Sequence, residues 1–384
     1  MTTMNMSTEQ QTESDSTFRV LCLDGGGMRG LYTAAYLSCV GEAFARKRSS
    51  NELDIGAAFN LIVGTSTGAI IGMALAVGIS PNRIVQLYKD HGRAIFPQKL
   101  PDGLSLKLLR DLVTRPGAVK NGEKALCKAL TDCFGEMTLG QAFAQRGIAL
   151  AVPAVELGHH RSWVFKTPHL ANTNHRDDDF TLVDVCVATS AAPLFRALAA
   201  VRRKTGPKGN LVFADGGLWA NNPVLVGLID ALEMTTPSRK IEIFCLGTCP
   251  RPAGEDTATM NVYRGLGEWK FGGEAAKLAI DAQEFAYDHM AKMLSRHVNR
   301  ECTIVRFPSQ QVPAALMPYL DLDDTRPEAA EALVRQASSD ADMTNSRCGD
   351  PNDADGQLVR RLFMEMPEKA GGNGAPLSQS MSGG

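Results

Sequence analysis

A chain of 384 residues, 44% hydrophobic and 21% charged, can close one large α/β core, with or without a small appendage. A formal net charge of -2 supplies no global attraction for nucleic acid or an anionic membrane, so a nucleic-acid polymer is not an expected partner and any membrane contact must come from a local patch. Nine cysteines (22, 39, 127, 133, 186, 245, 249, 302 and 348) cannot all pair internally and include no Cys-x-x-Cys, so reduced thiols are expected, with no disulfide framework and no metal at Cys245 and Cys249.

Residues 1–17 are polar and acidic, without the basic start or apolar run of a signal peptide, and are expected to be a disordered tail. Residues 18–23 read as a short buried strand that stops at Asp24-Gly25-Gly26-Gly27, after which apolar residues recur at helical spacing from Gly30 to about Phe44. The same order returns as a strand over 59–63, the turn Gly64-Thr65-Ser66-Thr67-Gly68, and a helix to about Val77 with Gly78 as its stop. The stretch 61–79 is uncharged and long enough for a membrane helix, but glycines at 64, 68, 72 and 78 favour strand, tight turn and buried helix. Residues 95–120 carry Pro97, Pro101 and Pro116 and read as a partly helical cap or surface excursion.

Further strands are expected at 148–157, 162–166, 211–214, 241–246 and 303–307, and helices at 182–188, 224–234 and 275–294. Strands alternating with helices predict a mainly parallel sheet covered on both faces. Beyond 307 the pattern weakens to a turn-like acidic segment at 318–325 and a helix at 327–336, and residues 369–384 are Gly/Ser-rich and expected to be disordered. The expected organisation is a tail at 1–17, a domain at 18–310, an extension packed on it at 311–368, and a tail at 369–384.

Three motifs carry chemistry. Gly64-x-Ser66-x-Gly68 lies between an apolar strand and an apolar helix, where small neighbours let a serine hydroxyl be presented at a sharp turn and the helix start directs N–H groups at negative charge. Asp24-Gly25-Gly26-Gly27-Met28-Arg29-Gly30 matches the dinucleotide spacing, but the acidic partner is missing: Glu42 falls inside a helical pattern and Asp54 comes too late. Consecutive glycines suit instead an oxyanion hole, with Arg29 adding fixed positive charge. Asp215-Gly216-Gly217 follows the strand at 211–214, at the carboxyl end where active sites of open α/β sheets gather.

These motifs, in this order, resemble the patatin-like phospholipase family, as does Ala188-Thr189-Ser190-Ala191-Ala192-Pro193 ahead of the aspartate. The resemblance covers about residues 18–250. It implies a three-layer α/β/α fold with a mainly parallel central sheet, and a serine acyl hydrolase of phospholipase A type. Ser66 and Asp215 would form a dyad without histidine, Gly25, Gly26, Gly27 and Arg29 would serve the oxyanion, and Gly30, Gly64, Gly68, Gly216 and Gly217 would complete the motifs. No metal or cofactor would be required.

Residues 18–31 and 319–325 are also similar to the bacterial cyclic-nucleotide-activated phospholipases of antiphage defence. That implies an enzyme switched on by a cyclic dinucleotide and degrading the cell's own membrane phospholipids, expected to be cytoplasmic and peripheral at the inner membrane, with a homo-oligomer as a candidate assembly. The span 255–350, or a subunit interface within it, is the natural place for the nucleotide. Alternatives are a constitutive lipase or thioesterase of the same fold, a non-catalytic binding module, and a triad completed by His289 or His297. A basic cluster of Arg196, Arg202, Arg203, Lys204 and Lys208 is a candidate headgroup contact.

Overall fold

The computed structural model describes residues 17–96, 106–193, 195–202, 209–249, 260–265, 267, 269, 273–308 and 312–369. In chain order, β1 (Phe18–Leu23) leads through a tight turn into α1 (Gly30–Lys47), and β2 (Leu61–Gly64) into α2 (Thr67–Ala76). Then follow α3 (Pro81–Ile95), α4 (Leu106–Phe134), α5 (Leu139–Arg146), β3 (Ala149–Glu156), β4 (Arg161–Lys166) and α6 (Leu182–Thr189). Next come β5 (Ala199–Arg202), β6 (Asn210–Asp215), the single turn α7 (Gly217–Ala220), α8 (Val224–Met234) and β7 (Ile241–Leu246). The chain finishes with α9 (Gly273–Ser295), β8 (Cys302–Arg306), α10 (Pro327–Gly349) and α11 (Ala354–Glu365).

One sheet runs β5-β6-β3-β2-β1-β7-β8, with β4 on the remaining edge of β3. Strands β3, β2, β1, β7 and β8 are mutually parallel, while β4, β5 and β6 run against their neighbours. Side chains of β1 alternate between two cores, as a strand buried on both faces requires. Leu21 and Leu23 join Tyr32, Tyr36 and Leu37 of α1, whereas Phe18, Val20 and Cys22 join Val224 and Leu228 of α8 and Ala291 of α9. This is the expected α/β/α layering.

The register of β3 brings two distant segments together. Ala151 pairs with Val63 on one side and Lys166 on the other, and Ala154 pairs with Trp163 and with Asp215. Since β4 fills one edge of β3 from Ala151 to Glu156, β2 and β6 lie end to end along the other. Running in opposite directions, their carboxyl ends converge, one just before Ser66 and the other at Asp215.

The last two helices are part of the main core. Helix α10 lies on α1, with Tyr32 donating its hydroxyl hydrogen bond to Asp340 at 2.6 Å and Tyr36 bonded to Thr344 at 2.7 Å. Phe363 of α11 stacks on Phe44 at 5.1 Å between centroids. Burying such a ring is worth about 1.5–3 kcal/mol. The helix expected over 327–336 continues to Gly349, and β5 and α11 were not expected at all. Part of 95–120 is helical as expected, with Pro116 inside α4, but Pro97 and Pro101 lie outside the described residues. So do residues 1–16 and 370–384. The uncharged stretch at 61–79 is a strand and a separate helix, and among the described residues no helix is long and apolar enough to cross a membrane.

Candidate active site

Ser66 occupies the turn between β2 and α2 with φ 52° and ψ -122°, a conformation that costs a non-glycine residue about 1–3 kcal/mol. Several bonds hold it there. The Ser66 amide donates to Thr189 Oγ1 at 2.9 Å, Gly68 N–H closes the turn on the Thr65 carbonyl at 2.7 Å, and Thr65 Oγ1 donates to the Ala220 carbonyl at 2.6 Å. The turn also needs its glycines: a β-carbon on Gly64 would lie 2.5 Å from the backbone of Gly68, and one on Gly68 would lie 2.3 Å from the Leu23 carbonyl oxygen. Both motif glycines are therefore fixed by close backbone approach.

The Ser66 hydroxyl donates directly to Asp215 Oδ2 at 2.9 Å, and Asp215 Oδ1 accepts the Gly217 amide at 2.6 Å. Both residues are buried. Burial pushes the Asp215 carboxyl up from its ordinary 3.8 to about 6, against the opposing pull of the Gly217 amide, the Ser66 hydroxyl and the Arg196 charge. A carboxylate with that value is ionised at neutral pH and is a stronger base than a free aspartate. Helix α6 braces the pair from behind. It begins with the reciprocal Thr181–Asp184 capping box and ends so that the Thr189 carbonyl accepts Gly216 N–H at 3.1 Å and the Ala191 carbonyl accepts Asp215 N–H at 3.0 Å.

The glycine loop lies across the same end of the sheet. Gly25 donates its amide to the Asn221 carbonyl at 3.0 Å, and the Gly25 carbonyl accepts from Thr248 Oγ1 at 2.9 Å and Asn221 Nδ2 at 3.3 Å. Met28 donates its amide to the Leu322 carbonyl at 2.8 Å, and Thr67 Oγ1 donates to the Gly27 carbonyl at 2.8 Å, tying the loop to the serine turn. Among the described residues, the amides of Gly26, Gly27 and Thr67 have no protein acceptor. These are N–H donors without a partner in the protein, and that of Thr67 follows Ser66 directly.

Helix α9 supports this loop from outside. Gln283 Oε1 accepts the Asn221 amide at 2.9 Å, and Asn221 Nδ2 also donates to Glu284. Burial, reinforced by the nearby Asp24 charge, pushes Glu284 up to about 7. Asp24, at the root of the loop, is paired with Arg306 at 2.6 Å, and Arg306 also reaches Asp288 at 3.0 Å.

Residues 21–228 match the family model described as patatin-like phospholipase. The chain belongs to the patatin-like phospholipase family. It is 34% identical over 278 residues to a cGAMP-activated phospholipase of Pseudomonas aeruginosa, a match spanning 72% of this chain and 75% of that one. It is 29% identical over 341 residues to the Escherichia coli protein of the same name (85% and 86%), and 30% identical over 336 residues to that of Vibrio cholerae (85% and 87%). Membership makes this chain a lipid ester hydrolase by family.

The patatin-like motifs lie together at one end of the sheet, as their order suggested. Within the glycine loop the three glycines are not equivalent, because the Gly25 amide is already taken by Asn221. Arg29 directs Nη1 to the Cys249 carbonyl at 3.4 Å, and Gly30 begins α1. His289 and His297 are exposed, while Ser66 meets Asp215 without an intervening group. The basic cluster is divided: Arg196 is half-buried with its guanidinium 5.7 Å from the Phe96 ring centre, Arg202 is exposed at the end of β5, and Arg203, Lys204 and Lys208 lie outside the described residues. All nine thiols are unpaired. The sequence reading missed Thr67 as an amide donor and Asn221, Thr248 and Leu322 as loop supports. Only Thr67 had a local signal, its place directly after the serine.

Proposed function

We propose that this protein hydrolyses acyl ester bonds of membrane phospholipids with Ser66 as nucleophile and Asp215 as base. The observation that carries the reading is the 2.9 Å hydrogen bond from Ser66 Oγ to Asp215 Oδ2. In the first half-reaction, Ser66 Oγ bonds to the ester carbonyl carbon as its proton passes to Asp215. The carbonyl oxygen becomes an oxyanion facing the amides of Gly26, Gly27 and Thr67. Collapse breaks the bond to the lysolipid oxygen, which takes the proton from Asp215. Water then attacks the acyl-serine, giving one proton to Asp215, and the fatty acid leaves as that proton returns to Ser66.

A cyclic dinucleotide is the proposed activator, and defence by degradation of the cell's own membrane, reached as a peripheral contact, is the proposed setting. The names of the three bacterial relatives, all cGAMP-activated phospholipases, support the activator. So does a physical route: the span 255–350 reaches the glycine loop through Arg306 on Asp24 and the Leu322 carbonyl on Met28, and indirectly through Gln283 and Glu284 on Asn221. A ligand that shifts α9 or the segment around Leu322 would move the oxyanion donors without touching Ser66.

The test is hydrolysis of phosphatidylethanolamine–phosphatidylglycerol vesicles by the full chain, with and without cGAMP. We expect cGAMP to raise turnover, and Ser66→Ala to lower it by at least about 10³-fold. We expect His289→Ala and His297→Ala to match the wild type. Full activity without nucleotide would remove the switch and leave a constitutive lipase. Turnover retained by Ser66→Ala would remove the nucleophile assignment.

A further inference from the structure

Thr189 belongs to neither half of the dyad, yet it bonds to Ser66 and to Gly216, the residue that follows Asp215. Its Oγ1 accepts the Ser66 amide at 2.9 Å and donates to the Pro153 carbonyl at 2.6 Å. Its own carbonyl accepts the Gly216 amide at 3.1 Å. The residue is fully buried, at the carboxyl end of α6, so water cannot stand in for any of these bonds. Ser66 is the only residue of its turn with a left-handed φ, and Thr189 Oγ1 is the side-chain acceptor of its amide.

We propose that Thr189 is a positioning residue that sets the Ser66–Asp215 geometry: its hydroxyl holds the strained Ser66 backbone in register with β3, while its carbonyl holds the residue after Asp215. The chemistry demands a hydroxyl. One small group must accept an N–H and donate to a carbonyl at the same time, which valine cannot do and a thiol does weakly. Pro153 is a suitable anchor because β3 pairs with both β2 and β6, the two strands that deliver the dyad. Thr189 therefore ties the Ser66 amide and the residue after Asp215 to one point on one strand. Without the hydroxyl, the Ser66 peptide is free to relax from its left-handed conformation, which would swing Oγ away from Asp215 Oδ2.

This inference rests on the reading of Ser66 and Asp215 as the reacting pair, so the experiment carries an arm for each. Steady-state hydrolysis of p-nitrophenyl butyrate in the presence of cGAMP, and the rate of labelling by a fluorophosphonate, are measured for Thr189→Ser, Thr189→Cys and Thr189→Val, with Ser66→Ala alongside. Thr167→Val serves as the matched control, because Thr167 Oγ1 is also fully buried and also accepts a backbone amide, that of Leu150 at 2.9 Å. We expect Thr189→Val to lower kcat on the order of 100-fold with KM within about twofold, and to slow labelling by the same factor. Thr189→Ser should stay within about threefold of the wild type, Thr189→Cys should fall between, and Thr167→Val should lose comparable thermal stability with kcat intact.

Equal kcat for the Ser and Cys variants overturns the proposal even if the Val variant does not fold. A kcat loss in Thr167→Val equal to that in Thr189→Val overturns it too, by reducing Thr189 to a stability effect. Turnover by Ser66→Ala overturns the dyad itself, a result separable from the Thr189 arms.

Discussion

The serine turn and the glycine loop lie against each other at one end of the sheet but are built differently. The serine turn is tied to residues of the same sheet and its adjoining helices: Thr65 to Ala220, Ser66 to Thr189, and Ser66 to Asp215. The glycine loop meets the same stretch of chain at Asn221, next to Ala220, and is tied to the serine turn by Thr67, but it depends in addition on later chain at Thr248 and Leu322, with α9 behind Asn221. Such a division leaves two of the three unpartnered amides, those of Gly26 and Gly27, on a loop that can be displaced from a distance, while Thr67 stays with the reacting atoms.

The sharpest way to break this comparison is at Asn221. Asn221→Ala keeps the backbone bonds to Gly25 and Gln283 but removes the side-chain bond to the Gly25 carbonyl and leaves Glu284 without that donor. We expect kcat to fall by about 10–100-fold, less than the ~10²–10³-fold lost when a donor is removed outright, because the donors stay and only their support goes. The pH at which activity turns on should not move, because the Ser66–Asp215 pair is untouched. An unchanged kcat, or a displaced acid limb, would show that loop and dyad are not separable.

The same contrast explains what could be read from the sequence. Every element that carries the serine turn announces itself locally: an uncharged strand, Gly64-Thr65-Ser66-Thr67-Gly68, then an uncharged helix. Asp215 is likewise visible at the end of an apolar strand. The supports of the glycine loop are not, because the bond from Met28 uses a backbone carbonyl of Leu322, which no side-chain pattern encodes. Strand β5 was missed because four residues alternating buried and exposed, beside arginines, resemble a surface loop. Helix α11 was missed although Val359, Leu362 and Phe363 recur at helical spacing behind the Asp353 cap, since the charged residues between them dilute the pattern.

A second measurement sharpens the dyad side of the comparison. In the proposed mechanism Asp215 serves as base only when ionised, so kcat/KM should rise with pH through about 6 and level off above it. Stability should respond with the opposite sign. A carboxyl whose value is raised by folding holds its proton more tightly in the folded state, so its contribution is greatest below 3.8 and is lost as pH rises to about 6. Denaturant unfolding of the wild type and Asp215→Asn across that window isolates the effect: the difference between them should shrink the wild type's relative stability as pH rises. A wild-type activity limb near 4 would mean that burial does not tune the base.

The smallest expected effect lies at Arg196, which belongs to the dyad side despite its place in a basic sequence cluster. Its positive charge lowers the Asp215 value, but it is the weakest of the four influences on that carboxyl, after burial, the Gly217 amide and the Ser66 hydroxyl. Arg196→Ala should therefore move the acid limb slightly to higher pH, leave the plateau kcat within about twofold, and leave the response to cGAMP unchanged. Vesicle binding separates this role from headgroup contact. A variant that binds phosphatidylglycerol vesicles normally while its acid limb moves fixes Arg196 as a tuner of the base. Weakened vesicle binding with an unmoved limb would return the residue to the membrane surface and leave Asp215 tuned by burial and its two hydrogen bonds alone.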